Sequence, residues 1–95
     1  MSAVNPAAVE DTILELLRAR GSERTIAPMD VARALGGDHP DGWGPLMPQV
    51  RRAAVRLMKH GRLVILRKGR PVDPDDFRGV YRLAPVDGEG KSSSV

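Results

Sequence analysis

The chain contains no cysteine. Disulfide staples, thiolate metal sites and cysteine nucleophiles are thereby excluded, and a reducing cytosol is compatible with the composition. Aromatic residues are almost absent: Trp43, Phe77 and Tyr81 are the full set. The core must therefore be aliphatic. Stacking of single-stranded bases on aromatic faces has little to work with. No apolar run nears the roughly 20 residues that a membrane span needs. Met1 to Asn5 shows no basic start followed by an apolar stretch, so no signal peptide is expected and a cytoplasmic location is. Catalytic motifs are missing as well. There is no glycine-rich phosphate loop, no nucleophile beside a base and no metal-ligand cluster. The sequence reads as non-enzymatic, with no cofactor.

The most informative absence is one of charge. Between Asp41 and Asp73 there is no acidic residue, while Arg51, Arg52, Arg56, Lys59, Arg62, Arg67, Lys68 and Arg70 all fall there. The whole chain sums to only +3, so the distribution matters more than the total. One face or edge should be strongly positive and should attract polyanions.

What is present fits one domain. At 95 residues with 41% apolar content the chain can bury a single modest core. Asn5-Pro6 is a good helix start, and Val9, Ile13, Leu16 and Leu17 follow helical spacing up to a stop at Gly21. Thr25-Ile26 can form one short strand. Pro28 restarts the chain at a second, short helix, in which Asp30 to Leu35 fill about two turns before Gly36-Gly37 stop it. Asp38 to Gly44 reads as a loop dense in turn residues. A third helix is expected from about Pro45 to His60, with Leu46, Val50, Ala53, Ala54 and Leu57 on its apolar face. Leu63 to Leu66 is β-rich, Lys68 to Pro71 turns the chain, and Gly79 to Leu83 returns as the partner strand. Asp73-Pro74-Asp75-Asp76 reads as one capped helical turn inside that long hairpin.

The expected fold is α+β: a winged helix-turn-helix, three helices with a small antiparallel hairpin wing, over residues 1–84. Residues 85–95 are polar and rich in Gly and Ser, and read as a disordered tail. Leu16, Leu17, Leu35, Val50, Leu57, Leu63 and Ile65 are the expected core.

Val31 to Gly37, Trp43 to Arg52, Arg67 to Pro74 and Arg78 to Leu83 together resemble a family of short bacterial proteins classed as a domain of unknown function. The Trp-to-Arg and Lys-Gly-Arg-Pro-Val-Asp-Pro segments carry the resemblance; the first helix does not. It implies a small winged-helix fold and a bacterial source, and no activity. It also implies a cysteine before Pro28, where this chain has Ala27, so a thiol-based role is absent.

The candidate nucleic-acid-binding residues are Gln49, Arg52, Arg56 and Lys59 on the third helix, with Lys68 and Arg70 on the wing. In helix-turn-helix modules the last helix enters the major groove, where Arg and Gln reach base edges and Lys meets phosphates. The stripe is expected opposite the apolar face, with duplex DNA as the favoured partner. The competing reading is a protein-interaction module on the same scaffold. A continuous basic surface favours DNA; carboxylates from the first helix or from Asp73 to Asp76 that interrupt it favour protein docking. A weak homodimer through the first helix, or pairing on DNA, is a further expectation. The Asp73, Asp75, Asp76 cluster reads as capping and not as a metal site. His39 and His60 lack ligand partners in sequence. Trp43 reads as a staple over the core, with its indole N–H partnered.

Overall fold

Asn5 starts the first helix as its chemistry suggests. Its Oδ1 accepts the amide of Ala7 at 2.8 Å, and its carbonyl accepts those of Ala8 and Val9. In the computed structural model, which describes residues 5–20 and 25–86, this helix, α1, spans Pro6–Arg20. Val9, Ile13 and Leu17, each four residues apart, are its buried stripe. The expected stop at Gly21 and residues 87–95 of the tail expected from 85 onward lie outside the described residues.

Helix α2 spans Pro28–Gly36, the short second helix expected to begin at Pro28 and stop at Gly36-Gly37. The Asp30 carboxylate reaches back to the Ala27 amide at 3.0 Å, and Pro28 suits the first turn because it needs no donor there. The segment expected to be a loop is instead helical. His39 Nδ1 accepts the Asp41 amide at 3.2 Å and caps a one-turn helix, α3, Pro40–Trp43. A 3-10 turn, Gly44–Leu46, follows and leads into α4, Met47–Lys59. Helix α4 is the expected third helix. Pro48 falls in its first turn, where no intrahelical donor is lost.

The sheet is antiparallel, in the order β2-β1-β3, with β1 Leu63–Arg67, β2 Arg70–Pro71 and β3 Arg82–Pro85. Beyond β3 sits Ile26, paired with Leu83 through two 2.9 Å hydrogen bonds. The segment just before α2 thus joins, through Ile26, the sheet that follows α4. This is a winged helix-turn-helix arrangement. The chain turns at Lys68-Gly69 alone, both with positive φ (53° and 81°), as a two-residue type I′ hairpin requires. Arg70-Pro71, expected in the turn, is strand; Gly79 to Tyr81, expected in the strand, precedes it. Asp73 caps a tight turn: its Oδ1 accepts the Asp75 amide at 2.9 Å and its carbonyl the Asp76 amide at 3.0 Å. The strand β3 reaches Pro85, which lies opposite Leu63.

Leu17, Val50, Leu57, Leu63 and Ile65 are buried as expected, together with Ile26, Val31, Phe77, Tyr81 and Leu83. Leu16 and Leu35 are only half-buried and pack on the outside of this cluster. Trp43 also packs there, but its indole N–H is buried without a hydrogen-bond partner among the described residues, contrary to expectation. No helix among the described residues is long and apolar enough to cross a membrane.

Candidate nucleic-acid interface

Helix α4 carries the candidate stripe, and its C-terminal end is firmly set. At the C-terminus His60 caps, Gly61 takes positive φ (73°), and the Arg62 amide returns to the Leu57 carbonyl at 2.8 Å. The Gly61 amide meets the Met58 carbonyl at 3.0 Å, completing a Schellman motif. Val50, Ala53, Ala54 and Leu57 face inward. At about 100° per residue the outward ridge is then Pro48, Arg52, Val55 and Lys59, while Gln49 and Arg56 fall on one flank and Arg51 on the other.

This divides the expected stripe. Only Arg52 and Lys59 lie opposite the apolar face. Gln49 and Arg56 turn toward α1, where with Pro6, Val9 and Arg52 they line a small cleft. Arg56 Nε donates to Glu10 Oε2 of α1 at 2.6 Å. Lys59 Nζ meets Asp75 Oδ1 at 2.6 Å. Carboxylates from both sources named in advance therefore interrupt the basic stripe. Arg52 is exposed and has no ion-pair partner among the described residues.

Arg51, not among the candidates, is a structural clamp. Its Nη2 donates to the Phe77 carbonyl at 2.6 Å, and its guanidinium carbon stands 3.8 Å from the Phe77 ring centroid. Phe77 meets Tyr81 edge-on at 5.2 Å. Burial pushes the Tyr81 phenol above its usual range, and the Arg51 charge opposes that rise. The loop between β2 and β3 is thus pinned along the flank of α4, by Asp75 at one end and Phe77 further along. Arg51→Ala should lower stability by about 1–3 kcal/mol in a denaturant melt, through a lost charge-assisted hydrogen bond and a lost cation–π contact. Arg51→Lys should restore only part of this, because an ammonium cannot bond and stack with one planar group. A loss below about half a kcal/mol for the alanine variant would show that the clamp holds nothing.

Despite these pairings, Arg51, Arg52 and Arg56 all line one shallow depression of about 280 Å³ around Val55 on the outer side of α4. On the wing, Lys68 and Arg70 are exposed with no ion-pair partner among the described residues. Arg67 is not available in the same way, since its Nε donates to the Val80 carbonyl at 3.1 Å. Among the described residues no group of three His, Asp or Glu side chains gathers as a metal site would need.

A family model described as "Protein of unknown function (DUF3253)" matches residues 6–85, from the first residue of α1 to the last of β3. No curated protein matches the chain.

Proposed function

The chain belongs to the DUF3253 family, and since that membership brings no activity we propose, from its own surface, that it is a non-enzymatic module for duplex nucleic acid, DNA first. The observation that carries this reading is the depression on α4, which Arg51, Arg52 and Arg56 line and where Arg52 keeps its charge unpaired among the described residues, on a helix that winged-helix modules offer to the duplex. The wing adds Lys68 and Arg70. Binding runs mainly through phosphates. Gln49 is half-buried in the cleft beside α1, and Arg56 is engaged by Glu10, so neither is set to read base edges. The ion pairs of Arg56 and Lys59 are partly exposed, and pairs of that kind are worth only about 0–1 kcal/mol. A phosphate can compete for either cation. A second copy on a symmetric site would extend the small footprint of one module. A bacterial cytoplasm would supply such a polyanion, and a chain without cysteine suits that setting.

Fluorescence anisotropy on duplex DNA at several salt concentrations tests this. Log affinity should fall with log salt at about 0.9 per phosphate contact. Arg52→Ala, Lys68→Ala and Arg70→Ala should each flatten the slope by about one unit. Arg56→Ala and Lys59→Ala should flatten it by less, because their charge is already shared with Glu10 and Asp75. Affinity should vary little with sequence. An absence of binding at about 50 mM salt and micromolar protein would end the nucleic-acid reading. The second reading, protein docking on a winged-helix scaffold, would then replace it. It is favoured by the two carboxylates that break the basic stripe.

A further inference from the structure

Val80 is 85% exposed and Met29 is 39% exposed, and they are the exposed large apolar side chains among the described residues. Both line the same groove, of about 400 Å³, which shares no lining residue with the arginine depression. Ala27 and Pro28 form one side of it with Met29, at the start of α2. Met47, at the start of α4, and residues 79–82 close it. Its volume falls within the usual range of small-molecule sites, which are concave and mostly apolar with few polar groups.

The lip of this groove is built, and not merely loose. Gly79 takes φ of 84°, and the Arg67 side chain lies so close that a Cβ there would come within 2.9 Å of Arg67 Nη2. Arg67 Nε also holds the Val80 carbonyl at 3.1 Å. Val80 is thus presented outward by a fixed backbone. Among the described residues the charge at the rim has one sign. Arg82 is fixed by Thr25, its Nε on Oγ1 at 2.7 Å and its Nη2 on the carbonyl at 3.4 Å, which leaves Nη1 unbonded among the described residues. Among the described residues no carboxylate lines the groove. The closest one in sequence, Asp30, is taken up by the Ala27 amide and by Arg20 at 3.7 Å.

From this we infer that the groove binds a small amphipathic anion, with an aromatic or branched aliphatic body among Met29, Met47 and Val80 and its carboxylate or sulfonate on Arg82. A two-fold pairing of this face with a second copy is disfavoured, because it would bring Arg82 toward its own equivalent. The inference stands apart from the nucleic-acid reading, since it shares no residue with it.

The test is a titration of isotope-labelled full chain, followed by amide chemical shifts, with 2-naphthoate, 2-naphthalenemethanol and 2-naphthylmethylamine as probes. Naphthoate should give saturable shifts centred on Met29, Met47 and Val80, with Kd of about 1 mM or tighter for a ligand of that size. The alcohol and the amine should bind at least about tenfold more weakly, as the loss of one charge-assisted hydrogen bond implies. Val80→Glu, at an exposed position that the core does not need, should keep the amide spectrum of the fold and abolish naphthoate binding. Equal binding of acid and alcohol would overturn the anion assignment. Shifts centred on Arg52, or none that saturate, would overturn the site. Sedimentation that shows self-association of the parent chain, abolished by Val80→Glu, would give the groove to a second copy and overturn the inference.

Discussion

Leu57→Ala should lower the unfolding free energy by about 2–5 kcal/mol. Leu57 is 4% exposed and is the last member of the inward stripe of α4. Its neighbours on that stripe, Ala53 and Ala54, are too short to fill the space it would vacate. Deleting a buried side chain costs its transfer free energy plus a term for the cavity that remains, and the second term grows where the surroundings cannot collapse. The site also sits where α4 ends, with the Leu57 carbonyl accepting the Arg62 amide just before β1. Movement to close the cavity would disturb that cap. A urea or guanidinium melt reads the change directly. A loss below about half a kcal/mol would mean that the inward face of α4 is wrongly assigned.

Gly36→Ala should also destabilise strongly, by about 1–3 kcal/mol or more, through overpacking. A Cβ at Gly36 would run into the carbonyl of Gly42 and approach Leu46 Cδ1 at 2.8 Å. A Cβ at Gly42 would in turn run into the Gly36 carbonyl. The leucine tip can yield, but the backbone of α3 cannot move without taking Trp43 with it. Gly44→Ala supplies the control. Its Cβ would meet open space, and its φ of −56° is ordinary helical backbone, so the change should be neutral or slightly stabilising. Equal melting temperatures for the two variants would show that the α2–α3 contact is loose.

These glycines also mark what the sequence could and could not convey. Asp38 to Gly44 reads as a loop because Gly, Pro and Asp favour turns, yet Pro40 and His39 suit a helix start equally well. Gly42 serves neither purpose; it allows two backbones to touch, which no local pattern reveals. The long helices were legible because their apolar residues recur at the helical period. The strand β1 was legible from its β-branched run. The boundaries of the return strand were not, because Gly79 and Val80 look like strand but are held in a loop by Arg67. The site shows the same limit. Periodicity gave the face of Arg52, but Arg56 meets a carboxylate 46 positions away and Arg51 a carbonyl 26 positions away. Which arginine stays free depends on tertiary partners, and composition cannot assign them. The apolar groove was invisible for the same reason, since α2, α4 and the loop before β3 meet only once the chain has folded.

The two outer margins of the sheet bear on how the molecules behave toward each other in solution. On one side β2 is just Arg70-Pro71, and its second residue has no amide hydrogen. On the other, Ile26 shields the middle of β3 with both of its backbone groups. Neither margin offers the long row of unpaired donors and acceptors that templates strand-to-strand growth. A concentrated solution should therefore resist fibril formation through this sheet, since neither of its edges gives an added strand a long row to pair with.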